Sequence, residues 1–343
     1  MRGWITLVGS AFLLMTLFGA TLIGATLWGQ ARPADTIAFL GEQDDNYEVY
    51  LGDVATGIVI NLTRDPLQDV SFSWSPDGRE MAFVSKRSGR DTLYIMDHQG
   101  QNVRRIETDV APFAPAWSPD GQKIAFMGNP LNGLADIFVM PAAGGVPINI
   151  TSTRDRSEAS ISWSPDSTQI VTAALNPPEV KIFAADGSHI ERLTDNGTLP
   201  QWSPDGTQLV YRTIRGAAEM RRRDLVTGQE TTIATGNGTV AWVAPAWSPM
   251  GDRVAFVKQV NNANLIRVAQ TDHDEARDYV TGVYGIGGLA WNTDGTQLAF
   301  AAKESQTSTA QNIYLLTLDT GDVKRLTTTP AFTSLPSWQP RKK

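Results

Sequence analysis

The side chains able to do chemistry in this chain are quickly located. There are three histidines, His98, His189 and His273, 36 carboxylates and no cysteine in 343 residues. Without cysteine there is no disulfide, no thiolate nucleophile and no thiolate-bound zinc. The histidines lie 91 and 84 residues apart, each beside a turn, so no spacing signals a metal site with several ligands on one element. No Gly-x-Ser-x-Gly occurs, which leaves a serine nucleophile elbow without a signal. Asp44-Asp45-Asn46 offers oxygen ligands but lacks the spaced acids of a calcium loop. Gly236-Asn237-Gly238 imitates part of a dinucleotide fingerprint, yet it joins two strands and opens no helix. What remains is charge and aromatic surface carried on loops: Asp44, Asp45, Arg87, Arg90, Asp109, Arg154, Asp155, Arg156, Asp195, Tyr284 and Phe332.

The elements that position these groups are repeats. Ser-Trp-Ser-Pro-Asp-Gly at Trp74 returns as AWSPDG at Trp117, SWSPDS at Trp163, QWSPDG at Trp202, AWSPMG at Trp247, AWNTDG at Trp291 and, cut short, SWQP at Trp338. The intervals are 43, 46, 39, 45, 44 and 47 residues, a period that signals a repeat architecture. Within one unit an apolar strand ends at Trp. Ser-Pro-Asp-Gly then supplies a tight turn, with Pro presetting φ, Asp bonding locally and Gly accepting positive φ. A second strand follows with an aliphatic, small, aromatic pattern, as in Met81-Ala82-Phe83 and Leu298-Ala299-Phe300. It is apolar on both faces, as in a sheet covered on both sides. A third strand (TLYIMD, DIFVMP, NIYLLT), a Gly-containing turn and a fourth strand ending like RLT complete the unit. Each repeat is therefore a four-stranded antiparallel meander, and radial stacking covers both of its faces. Residues 35–63 read as strands two to four without a first, and TSLPSWQP near the C-terminus as a first strand without successors. Joined to the six whole repeats between them, these pieces predict an all-β, seven-bladed propeller closed by strands from both ends. The seven tryptophans, Trp74, Trp117, Trp163, Trp202, Trp247, Trp291 and Trp338, read as structural residues between blades.

Charge and hydropathy set the surroundings. Residues 1–34 hold only Arg2 and Arg32, so the rest carries 27 basic against 36 acidic residues, and a nucleic-acid partner is not expected. The single basic run, Arg221-Arg222-Arg223, reads as an exposed strand edge. Trp4 to Trp28 contains no charge over 25 residues; as a helix it would be roughly 37 Å long, against about 30 Å of bilayer core. This predicts an uncleaved signal anchor over residues 4–28, a cytoplasmic stub over 1–3, a linker over 29–34 and the propeller over 35–343. The positive-inside bias places the propeller outside the cytoplasmic membrane, at the cell surface or in the periplasm.

The WSPDG…IAF…IY…G…RLT unit resembles the repeat of TolB-like β-propellers, which also occurs in the propellers of prolyl oligopeptidases and tricorn proteases. The resemblance covers residues 35–343 and implies fold rather than reaction. Periplasmic TolB proteins place an α/β domain before a six-bladed propeller, whereas here Gly29 to Ala34 alone separates the hydrophobic stretch from seven predicted blades. The peptidases carry an α/β-hydrolase domain, and nothing here encodes one.

In such a ring, the loops from strand four to the next strand one, and from strand two to strand three, surround the axial opening on one face. The expected function is non-catalytic: a membrane-tethered binding or scaffolding propeller that engages a protein or peptide through Arg87, Asp109, Arg154, Asp155, Arg156, Asp195 and Tyr284 on that face. A glycan is a second ligand class. The alternative is an enzyme with its site in the funnel, such as a polysaccharide lyase or glycoside hydrolase, which would need convergent carboxylates or metal ligands there. No cofactor is expected; calcium in the axial channel would fit the fold class, but no ligand pattern signals it. The Asn-x-Thr triplets at Asn61 and Asn149 recur at the end of a fourth strand and read as repeat sequence.

Overall fold

The computed structural model describes residues 35–340 apart from 130–133, 153–156, 176, 217, 234–238, 242, 262, 274 and 329–331. The expected anchor over 4–28, its stub and its linker lie outside the described residues. Among the described residues no helix is long and apolar enough to cross a membrane.

Seven four-stranded antiparallel blades follow one another around a ring. Blade 1 comprises Phe332–Trp338, Thr36–Gln43, Asn46–Asp53 and Val59–Asn61, and blade 2 Asp69–Trp74, Glu80–Ser85, Thr92–Asp97 and Arg104–Ile106. The first strands of blades 3, 4 and 5 are Ala111–Trp117, Ser162–Trp163 and Thr198–Trp202. Blade 6 has its first strand in two pieces, Thr239–Val240 and Ala246–Trp247, and blade 7 begins with Tyr284–Trp291. The ring closes as the complementary truncations predict: Ile37 pairs with Trp338, Ala38 with Ser337 and Leu40 with Ser334. A single parallel pair, Gln311 with Phe332, also joins blades 7 and 1.

The two-sided apolarity of the second strand has a direct structural cause. Met81 and Phe83 pack into a cluster with Ala38, Leu40 and Leu51 of blade 1, while Ala82 and Val84 pack with Trp117, Ile124 and Phe126 of blade 3. The same division recurs at all seven junctions, ending with Ala299, Ala301 and Leu315 of blade 7 against Ile37, Phe39 and Trp338 of blade 1. Second strands turn their Phe residues back (Phe39, Phe83, Phe126, Phe256, Phe300) and an Ala forward (Ala38, Ala82, Ala125, Ala255, Ala299), so neighbouring blades interdigitate at interior density. Stacked rings on strands two and three, Phe39 on Tyr50, Phe83 on Tyr94, Phe126 on Phe138 and Phe300 on Tyr314, thicken four of the blades.

The tryptophans sit at these junctions, six of them buried and Trp247 half-buried. The Nε1–H groups of Trp163, Trp247, Trp291 and Trp338 donate to the carbonyls of Ala116, Gln201, Ala246 and Ala290, one residue before the preceding blade's Trp, at 2.9–3.3 Å. The bonds fall on the free edges of innermost strands and leave those edges less open to unwanted pairing. The turns behave as local units: Ser118 Oγ donates to Asp120 and accepts the Lys123 N–H, and Asp120 accepts the Gln122 N–H. In blade 6 Met250 occupies the Asp position, and Asp252 takes over the bond from Ser248 at 2.6 Å. The turns also stack: a Cβ on Gly121, Gly206 or Gly251 would touch the Pro of the preceding turn at 3.4–3.6 Å.

Arg221-Arg222-Arg223 is not an exposed edge. It lies in the third strand of blade 5, Met220–Asp224, which is paired on both sides.

Candidate functional site

Antiparallel connectivity puts the strand-four-to-one and strand-two-to-three loops on one face of the ring, opposite the Ser-Pro-Asp-Gly turns. Under this face the strand ends carry a repeated clamp. Thr151 accepts the Ile137 N–H at 3.0 Å and donates to Asp136 at 2.9 Å. Thr63 joins Val49 and Glu48 in the same way, and Thr327 joins Ile313 and Asn312. The final Thr of the RLT-like strand thus ties strand four to the start of strand three. Asn149 donates to Asp136 at 2.8 Å and accepts the N–H groups of Thr151 and Ser152, so its amide serves the clamp.

At the junction of blades 1 and 2 this clamp becomes an ionisable corner. Glu48 accepts hydrogen bonds from Asn46 Nδ2 at 2.8 Å, from the Asp65 N–H at 3.0 Å and from the Thr63 hydroxyl. Asp69, fully buried at the start of blade 2, lies beside it. Arg87 closes the corner: its guanidinium is 3.4 Å from Asp69 and 3.6 Å from Asp65, and lies over the rings of Phe83 and Tyr94 at 4.8 and 5.2 Å. Burial pushes the Glu48 carboxyl up to about 7, opposed by Thr63 and the Asp65 N–H and reinforced by Asp69. Burial also raises Asp69, against the Ser85 and Thr63 hydroxyls and Arg87. Asp69 Oδ2 has no partner while both acids are ionised; a proton held between the two carboxyls supplies the missing bond. Glu158, before the first strand of blade 4, is a second buried acid. Burial raises it, and Thr172 and Lys181 oppose the rise.

The loop residues singled out in the sequence divide in two. Arg87 is folded into the corner just described. Asp44 and Asp45 form the tight turn between strands two and three of blade 1, with φ of 55° and 60°, and Arg90 is exposed in the corresponding loop of blade 2. Asp109 and Tyr284 are exposed on connections into blades 3 and 7. Asp195 is exposed between Arg192 at 4.0 Å and Arg215 at 3.9 Å. Arg154, Asp155 and Arg156 lie outside the described residues, as does the side chain of Phe332. The histidines fall on strand-three-to-four turns of blades 2, 4 and 6, away from this face. Sequence reasoning missed Glu48, Asp69 and Glu158; the available signal was an acid set directly against an apolar strand, as in Tyr47-Glu48-Val49-Tyr50-Leu51.

The innermost strands bear on chemistry. Residues 70–73, 112–116, 160–162, 199–201, 244–246, 285–290 and 333–337 contain no Asp, Glu, His, Lys or Arg. Glu48 and Asp69 are sealed from solvent. Among the described residues no group of three or more His, Asp or Glu could hold a metal ion. The architecture defines a closed seven-bladed β-propeller with a polar loop face above innermost strands made of small, apolar and uncharged polar residues.

Comparison with known proteins agrees. Residues 107–241 match the TolB beta propeller domain family. The uncharacterized protein Atu1656 of Agrobacterium fabrum is 28% identical over 189 residues, 53% of each chain. The Tol-Pal system protein TolB of Francisella tularensis is 27% identical over 213 residues, 59% of this chain and 49% of that protein. The chain therefore spans about half the length of these curated relatives. In fold it is similar to TolB from Acinetobacter baumannii (TM-score 0.58, 17% identity, 91% of this chain and 86% of that one). An oligogalacturonate lyase from Vibrio parahaemolyticus (0.62, 11%, 84% of each) and a puromycin hydrolase (0.68, 16%, 86% and 52%) share the fold. The chain is a seven-bladed β-propeller whose repeats are similar to those of TolB propellers.

Proposed function

We propose that the protein is a non-catalytic binding or scaffolding propeller, tethered through residues 4–28 on the outer side of a membrane, whose axial-opening face engages a protein or peptide. The observation that carries this reading is the make-up of the innermost strands: a funnel enzyme needs accessible acids, bases or metal ligands at its centre, and the one Asp, Glu, His, Lys or Arg on the described innermost strands, Asp69, is fully buried. The TolB-like repeats support the binding class, although the fold is shared with a lyase and a hydrolase and does not choose by itself. Exposed Asp109, Asp195 and Tyr284 supply a charged rim with an aromatic anchor, the composition in which interface energy concentrates. Affinity capture from detergent-solubilised membranes tests the reading. Tyr284→Ala combined with Asp195→Lys should reduce recovery of the specific partner at least fivefold at unchanged melting temperature. Undiminished recovery, or turnover of an oligogalacturonate or peptide by the purified protein, would refute it.

A further inference from the structure

Six of the seven blades bury an aliphatic residue two places before the end of the third strand, where it packs toward the next blade. These are Leu51, Ile95, Val139, Ile182, Val268 and Leu315. Blade 5 has Arg222 at that place. Its neighbours in sequence point to the other face and are neutralised there, Arg221 by Glu219 and Glu230 and Arg223 by Glu230. Arg222 is half-buried, and among the described residues it makes no hydrogen bond and no ion pair within 4.0 Å. Removing a guanidinium from water without a partner is costly, and no packing contact of the ring requires it.

The cross-strand partner is altered as well. The residue opposite Ile95 is Arg104, and opposite Val268 it is Arg277. These arginines cross the blade junction and donate to the carbonyls of Ala142 and Leu318 at 3.1 and 3.0 Å. Opposite Arg222 stands Thr231, too short to cross, and the equivalent residue of blade 6 is Thr271. The groove that an arginine fills at the junctions after blades 2 and 6 is here left open as a cleft of about 390 Å³, into which Arg222, Thr231, Thr232, Thr271, Asp272 and His273 face. Among the described residues Asp272 contacts the His273 imidazole, and Asp224 accepts the Val226 and Thr227 N–H groups. Arg222, whose charge helps lower the Asp224 carboxyl, keeps its guanidinium N–H groups without a hydrogen-bond partner among the described residues, with hydroxyl groups around it.

We propose that this cleft between blades 5 and 6 is a binding site for a carboxylate carried by a small polar ligand, gripped by the Arg222 guanidinium and the flanking threonine hydroxyls. A planar guanidinium matches a carboxylate in a two-bonded fork, and the volume suits one or two amino-acid residues or a single sugar acid. The site lies on the turn side of the ring, remote from the axial-opening loops, and stands independently of the function proposed for them.

Titration calorimetry on the full chain tests it with two pairs of probes: alanyl-alanine against its C-terminal amide, and glucuronate against glucose. At least one carboxylate should bind saturably, and its neutral counterpart at least tenfold more weakly; which pair responds identifies the peptide or the sugar source. Arg222→Leu, which installs the residue type of the other blades and so should fold, should weaken that binding at least tenfold. Arg222→Lys keeps the charge without the fork and should lose roughly three- to tenfold, which also serves if the leucine variant is unstable. Tyr284→Ala should leave binding unchanged. No saturable binding of either carboxylate by the parent chain, or equal binding by the Arg222 variants, would overturn the proposal.

Discussion

Asp69→Asn should lessen a pH-dependent weakness at the junction of blades 1 and 2. In the parent protein Glu48 and Asp69 share a buried corner, and the Glu48 carboxyl is raised from 4.5 to about 7. A carboxyl raised in the folded state stabilises that state fully below its unfolded value. That contribution is lost as pH climbs from about 4.5 to about 7, because the folded protein holds a proton that the unfolded chain has released. The full shift corresponds to a ceiling of about 3 kcal/mol; relaxation and water entry reduce the expected loss to about 1–2 kcal/mol. The asparagine amide would place a permanent N–H where the shared proton sits, while its carbonyl still accepts from Arg87, now 3.4 Å from Asp69 Oδ1. Urea unfolding of both proteins at pH 5 and pH 8 measures the effect. The lost Arg87 ion pair lowers the variant at both pH values, so the informative quantity is the difference of differences. Burial, the larger cause of the Glu48 rise, persists in the variant and only the smaller contribution of Asp69 is removed. The parent should therefore lose up to about 1 kcal/mol more than the variant between pH 5 and 8, or about 2 °C in melting temperature for a domain of this size. Exposed His273, also raised, titrates equally in both proteins and cancels. An identical pH response in the two proteins would show that no proton is shared in this corner.

Other consequences concern the ring itself. Gly78 and Gly121 share a turn position and a positive φ, but a Cβ at Gly78 would lie 2.3 Å from the Pro340 carbonyl oxygen, against 3.4 Å from a Pro76 side-chain carbon at Gly121. Gly121→Ala should therefore cost about 1 kcal/mol and Gly78→Ala about 2–4 kcal/mol, read from urea midpoints; equal costs would contradict the closure contact. Asp120 is held below its ordinary value: burial raises it, but the Ser118 hydroxyl and the Gln122 N–H outweigh that effect. Its contribution is present above pH 3.8 and lost as pH falls through the folded value, so the deficit of Asp120→Asn should shrink between pH 7 and pH 2.5 in urea melts. Deleting residues 332–343 uncovers Ile37 and Phe39 by removing the strand that closes the ring, and should replace one sharp urea transition with a broad one; a retained sharp transition would argue against cooperative closure.

The repeat, the blade count, the turn chemistry and the complementary ends were legible in the sequence because each rests on local physics. Trp-Ser-Pro-Asp-Gly folds its own turn, alternation of large and small residues dictates a strand covered on both sides, and a missing first strand at one end matches a lone one at the other. Partnering between residues distant in the chain was not legible. Arg87, read as a partner contact, is drawn 18 residues back to Asp69 and 22 to Asp65, whereas Asp195 remains at the surface. Nothing in either loop's composition separates these outcomes. The raised carboxyls of Glu48 and Asp69 likewise arise only because stacking blade 2 on blade 1 takes both acids out of water. Arg222 lies between the two cases: its place in a third strand follows from the repeat, but its reading as an edge failed because the cost of facing blade 6 depends on which neighbour fills the groove. Sequence alone determined what each blade is, since hydrogen bonding and side-chain alternation act over a few residues; the tertiary ring decided which charges remain available, since burial and pairing are set by the blade next door.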